Sequence, residues 1–152
     1  LNVASHELRA DREVVRAAVE QDPWALELAA PSLLADRELV LSAVRQAGCA
    51  LAFAAEALRA DYEVALAAVT ENWRALKFVM PALLEDRTLI LAAVRLYGRA
   101  LKFAAPFLQG DREVVLAAVK QDGLALEFAA ADLQADSELI LAAEAQLDGR
   151  PA

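Results

Sequence analysis

The residues able to do chemistry are few, and most of them recur on a fixed spacing. One histidine, His6, and one cysteine, Cys49, are the only candidates for a base or soft nucleophile near neutral pH. They are far apart in the chain, and no third group is spaced to orient either. His6 is expected at the surface or in a capping role, and Cys49 as a small packing residue in a turn. Six aspartates fall at Asp11, Asp36, Asp61, Asp86, Asp111 and Asp136. Such a carboxylate row could hold cations, but each Asp stands just before an aliphatic run, where its side chain would cap the helix N-terminus. Capping explains the row without a ligand. No nucleophile elbow, phosphate-cradling glycine loop or paired Cys and His metal spacing is present. The chain is therefore not expected to be an enzyme, and no cofactor or metal is expected.

Binding chemistry is concentrated elsewhere. Residues 61–110 carry six basic side chains against five acidic ones, a net of +1, whereas residues 111–152 come to −6. Arg74 and Arg99 share a position of the spacing described next, as do Lys77 and Lys102, with Trp73 and Tyr97 at the adjoining turns and Arg95 close by. Exposed Arg and aromatic residues are enriched in protein interfaces. Trp73, Arg74, Lys77, Arg95, Tyr97, Arg99 and Lys102 are thus the candidate partner-binding residues.

What must position these side chains is a repeat. The stretch DREVVLAAVKQDGLALEFAAADLQA, beginning at Asp111, recurs every 25 residues, with copies beginning at Asp86, Asp61, Asp36 and Asp11 and a partial one at Asp136. A unit this short cannot bury its own apolar face, so neighbours must stack, which is the logic of a solenoid. Each opening Asp is followed by apolar residues at i, i+1, i+4 and i+5 spacing, as in Val14, Val15, Ala18 and Val19, which predicts a first helix of about ten residues with a broad buried face. Pro23, Gly48, Gly98 and Gly123 share the next break and are expected to stop that helix and turn the chain. A second helix is expected through Ala25, Leu26 and Leu28, and it must end before the shared position of Pro31, Pro81 and Pro106. A short helical turn such as Pro106 to Gln109 then closes the core with Leu108.

The expected fold is all-α: an α-solenoid of about five 25-residue helix-turn-helix repeats, with a partial repeat at residues 1–10, five tandem repeats at 11–135 and a partial capping repeat at 136–152, forming one continuous array. Residues up to Ala10 are expected to cover the first full repeat. Leu1 takes the position of Leu26 and Leu51 in their repeats, so the chain is expected to be part of a longer protein. At the other end Glu144 replaces the Val of the full repeats, and Gly149 and Pro151 follow.

Composition narrows the function class. Hydrophobic residues make up 59% of the 152 residues, but the longest apolar run is about nine residues, Ala47 to Ala55, so no transmembrane segment is expected. A net charge of −8 disfavours nucleic acid as a partner. One cysteine cannot make a disulfide within the chain, which favours an intracellular compartment over secretion.

The phrases DREVVLAAVKQDGLALEFAAADLQAD and DRELVLSAVRQAGCALAFAAEALRAD resemble the tandem helical repeats of the domain-of-unknown-function family numbered four-one-one-six. The resemblance covers Asp11 to Glu144. It implies a short helical repeat found in tandem, with no assigned activity and no functional residues to transfer. Arg16 departs from the pattern, standing where the other repeats have Leu.

The expected function is a non-enzymatic helical-repeat scaffold that presents an extended surface to a protein partner. The alternative is a structural accessory subunit of a larger assembly, an organellar or membrane-bound one included.

Overall fold

The computed structural model describes residues 5–148. The elements among them are all helical, and the chain is an all-α repeat solenoid. The register of Leu1 and the stop at Gly149 and Pro151 lie outside the described residues. The chain divides into two compact units, Leu1–Met80 and Pro81–Ala152, and each is taken by itself.

In the first unit the long helices are Arg12–Gln21, Arg37–Gln46 and Tyr62–Glu71, each ten residues. Asp11, Asp36 and Asp61 cap them, accepting hydrogen bonds from backbone N–H groups of the first turn at 2.9–3.1 Å. The second unit repeats the device in Arg87–Leu96 and Arg112–Gln121, capped by Asp86 and Asp111, while Asp136 accepts from the Glu138 and Leu139 amides in Ser137–Asp148. An isolated ten-residue helix is marginal in water. Here the apolar face supplies what propensity cannot: Val64, Ala65, Ala68 and Val69 are fully buried in the first unit, and Val114, Val115, Ala118 and Val119 in the second.

After each long helix comes a six-residue segment: Pro23–Leu28, Gly48–Phe53 and Trp73–Phe78 in the first unit, Gly98–Phe103 and Gly123–Phe128 in the second. These segments are 3-10 helices, where the sequence pattern predicts an ordinary second helix. They are fixed at both ends. Each begins where the first helix stops and ends where the backbone is tied to the preceding repeat. At about 2.0 Å of rise per residue a 3-10 helix spans that interval with fewer residues than the 1.5 Å of an α-helix. Leu26, Leu51, Leu76 and Leu101 point inward and are fully buried. Each repeat therefore has a long helix, a 3-10 helix and, as the sequence pattern predicts, a short helical turn such as Glu56–Arg59 or Pro106–Gln109.

The long helices stop at the shared break as predicted, ending at Gln46, Leu96 and Gln121, but the glycines there have a further role. None has a positive φ, so none is there to reverse the chain through the left-handed region. A Cβ built on Gly98 would lie 2.5 Å from the carbonyl oxygen of Ala118, and one on Gly123 the same distance from that of Ala143. Gly48 meets Ala68 in the first unit still more closely. The glycine lets the start of one 3-10 helix touch the backbone of the next repeat's long helix.

Neighbouring repeats are also joined through backbone. Ala30, Ala55 and Met80 donate to the carbonyls of Arg9, Leu34 and Arg59 in the first unit, and Ala105 and Ala130 to those of Leu84 and Gln109 in the second, all at 2.8–3.0 Å. At the N-terminal side His6–Ala10 is a single five-residue helix. Residues 1–4 of the expected cover lie outside the described residues; in the described part Leu8 is 46% exposed, and on the first long helix Val14 is 37% exposed while Val15 and Val19 are fully buried.

Candidate functional site

Among the described residues four arginine bridges repeat with the array. In the first unit Arg12 donates to Asp36 at 2.6 Å and to Glu38 at 2.7 Å, and Arg37 bonds Asp61 at 3.2 Å and Glu63. In the second, Arg87 bonds Asp111 at 2.8 Å and Glu113, and Arg112 bonds Asp136 and Glu138. Each guanidinium thus spans the cap and the first-turn Glu of the following repeat, the planar fork matching two carboxylates at once. Tyr62 stands where the arginine would be in the third repeat, and Thr88 where the glutamate would be in the fourth.

The carboxylates respond as their surroundings require. Asp36 and Asp111 are held below the usual carboxylate range, first by the hydrogen bonds from Arg12 and Arg87, against an opposing effect of burial. Asp61 and Asp136 are lowered as well, first by the backbone N–H groups of Val64 and Leu139. The aspartate row is therefore occupied by amides and guanidiniums, the structural use that its spacing suggests. Among the described residues no cluster of three or more His, Cys, Asp or Glu is arranged to hold a metal ion, and no helix is long and apolar enough to cross a membrane. His6 is exposed on the short N-terminal helix, and Cys49 is a half-buried free thiol within Gly48–Phe53.

The candidate binding residues fall on the 3-10 helices and the ends of the long ones. In the first unit Trp73, Arg74 and Lys77 lie on Trp73–Phe78. Residues i and i+3 eclipse on a 3-10 helix, which places exposed Arg74 and Lys77 on one edge. The Arg74 guanidinium lies 4.8 Å from the centroid of the Trp73 ring, and the Lys77 ammonium 4.5 Å from that of Phe78. Both cations are held over aromatic faces without being neutralised.

In the second unit Arg99 and Lys102 take the same i, i+3 edge of Gly98–Phe103, with Lys102 5.6 Å from the centroid of the Phe103 ring. Arg99 is committed differently. Its Nε donates at 2.9 Å to Asp122, which also caps the next 3-10 helix through the Leu124 amide. That arginine is a bridge between repeats. Arg95 is exposed on the last turn of Arg87–Leu96, and half-buried Tyr97 caps that helix.

Two groups of residues were missed by the spacing argument. The bridging arginines could have been found from the D-R-E triplet, because stacking sets Arg of one repeat beside Asp and Glu of the next. Phe107, 60% exposed, is the most exposed aromatic among the exposed large hydrophobic residues. Its signal is its oddity: Ser32, Ala57, Ala82 and Asp132 fill that position in the other repeats.

Comparison with known proteins agrees with the repeat. The family model described as Domain of unknown function (DUF4116) matches residues 1–34, 36–84 and 86–134. The two longer matches open at Asp36 and at Asp86, so the family's unit corresponds to a pair of the 25-residue repeats. No curated protein and no solved structure matches the chain. With three tandem matches covering most of its length, the chain belongs to the DUF4116 family.

Proposed function

We propose that the chain is a non-enzymatic helical-repeat scaffold whose outward positions form an extended surface for a protein partner. One observation carries this reading: the positions shared by the repeats are spent inside the chain, and the positions that differ face outward. The shared Asp caps a helix and receives an arginine, the shared Gly admits a neighbouring backbone, and the shared Leu and Val fill the core. Arg74, Lys77, Arg95, Lys102 and Phe107 are exposed and repeat irregularly. Cations held over rings and one isolated exposed Phe are the residue types that anchor interfaces.

The test is affinity capture from the native lysate, with crosslinking and mass spectrometry to map contacts. A partner retained by the wild-type chain and lost from Arg74→Glu, Lys77→Glu, Lys102→Glu and Phe107→Ser variants supports the reading. Equal retention by all of them would sink it. A chain soluble only when co-expressed with a neighbour would support the accessory-subunit reading instead.

A further inference from the structure

We propose that in the second unit the groove between the long helices Arg87–Leu96 and Arg112–Gln121 binds a carboxylate-rich segment of a partner protein, held by Arg95 and Lys120. The inference rests on the scaffold reading and names the chemistry of one partner. The groove is lined by Arg95, Ala117, Lys120 and Gln121. Arg95 and Lys120 are exposed, and among the described residues neither takes part in an ion pair, whereas Arg87, Arg99 and Arg112 in the same unit are all bridged to carboxylates. Ala117 leaves the floor shallow enough for an extended backbone to approach.

The first unit supplies an internal comparison. The corresponding groove between Arg37–Gln46 and Tyr62–Glu71 is lined by Arg45, Glu63, Leu66, Ala67, Thr70 and Glu71. One arginine against two glutamates makes it −1, while Arg95 and Lys120 with no carboxylate make the second groove +2. Two of these three charges come from neighbouring positions of the repeat, Thr70 to Lys120 and Glu71 to Gln121, and the third from Glu63, which lines the first groove while its counterpart Glu113 does not line the second. Gln121 accepts the hydrogen bond from the Gly98 amide. In a chain of net charge −8, a groove with two uncompensated cations is a local feature, and its complement is acidic. Two cations are too few for the continuous track that a nucleic-acid backbone requires.

The experiment is fluorescence anisotropy of the full chain with a fluorescein-labelled Glu/Asp-rich peptide, its Gln/Asn counterpart and a labelled single-stranded RNA. Binding of the acidic peptide alone, weakened by salt and roughly tenfold by the pair Arg95→Glu and Lys120→Glu, supports the proposal. Arg45→Glu should leave it unchanged, and the pair Lys120→Thr and Gln121→Glu, which copies the first unit's groove, should also weaken it. Circular dichroism confirms that each variant folds. The proposal is overturned if the neutral peptide or the RNA binds as well as the acidic one. Insensitivity to Arg95 and Lys120 overturns it too, as does sedimentation showing that this groove joins two copies of the chain. Should the acidic peptide fail while capture still depends on Arg74, Lys77 and Lys102, this inference falls and the scaffold reading stands.

Discussion

Arg87 and Asp111 lie 24 residues apart in sequence, yet the arginine Nε donates to the aspartate Oδ2 at 2.8 Å. The other carboxylate oxygen of Asp111 meanwhile accepts from the Glu113 and Val114 amides at 3.0 and 3.2 Å. One side chain thus starts a helix and receives the preceding repeat. Local structure and repeat stacking are coupled through it, and the same coupling appears at Asp36, Asp61 and Asp136.

Asp111→Ala removes both roles. Loss of the cap alone should cost about 1 kcal/mol, read as a lower midpoint in urea denaturation. Arg87→Gln leaves the cap in place and breaks only a solvent-exposed bridge, so its effect should be smaller and should fade as salt is added. If Arg87→Gln proved as damaging as Asp111→Ala in high salt, the bridge would be more than a surface ion pair.

How much of this could be read beforehand follows from the range of each interaction. The Asp caps were legible because a cap is decided within three residues. The bridges were not, because the partner of Arg87 is reached only once the repeats are stacked. For the same reason Gly98 reads in sequence as a helix stop, although its φ is not positive and the carbonyl of Ala118 is what excludes a side chain. The 3-10 geometry of Gly98–Phe103 escaped because periods of 3.0 and 3.6 cannot be separated over six residues. In the candidate site, the exposure of Arg74 and Lys102 followed from repeat position. The capture of Arg99 by Asp122 depended on the next repeat and did not.

Stability should fall on the acid side. Asp36, Asp61, Asp111 and Asp136 titrate lower in the folded chain than their ordinary value of 3.8. A depressed native pKa gives stability that is present above the unfolded value and lost as pH falls through the native one. Their arginine partners stay protonated throughout. Between about pH 7 and 5, relief of repulsion in a chain of net charge −8 acts in the opposite direction. The loss should therefore appear below about pH 4, in thermal melts taken across the range. Replacing Asp36 and Asp111 by Asn should flatten that acid limb, and a limb unchanged in the double variant would remove these carboxylates as its cause.

The glycines give a paired prediction. Gly98→Ala places a methyl group 2.5 Å from the Ala118 oxygen and 3.0 Å from the Asp122 Cβ. Backbone must move, and a cost above about 2 kcal/mol is expected. Gly110→Ala meets nothing closer than 3.5 Å, and the backbone there, φ −94 and ψ −3, matches that of Ala60 and Ala135 in other repeats. This substitution should be neutral or stabilise by up to about 1 kcal/mol through the unfolded chain. Equal effects at the two positions would refute close approach as the reason for Gly98.

Leu101 and Phe107 belong to one repeat and separate packing from recognition. Leu101 is 0% exposed, and truncation to Ala should cost about 2–5 kcal/mol by leaving a cavity between repeats. Phe107 is 60% exposed, so Phe107→Ser should change stability by less than about 0.5 kcal/mol. Under the proposed scaffold reading this exposed ring is an outside contact. Partner capture should accordingly be lost in the folded Phe107→Ser chain, while a conservative Leu101→Met chain, with its volume kept, should retain it. A Phe107→Ser chain that unfolds readily would show instead that the ring serves the repeat itself, and its place in the binding surface would have to be given up.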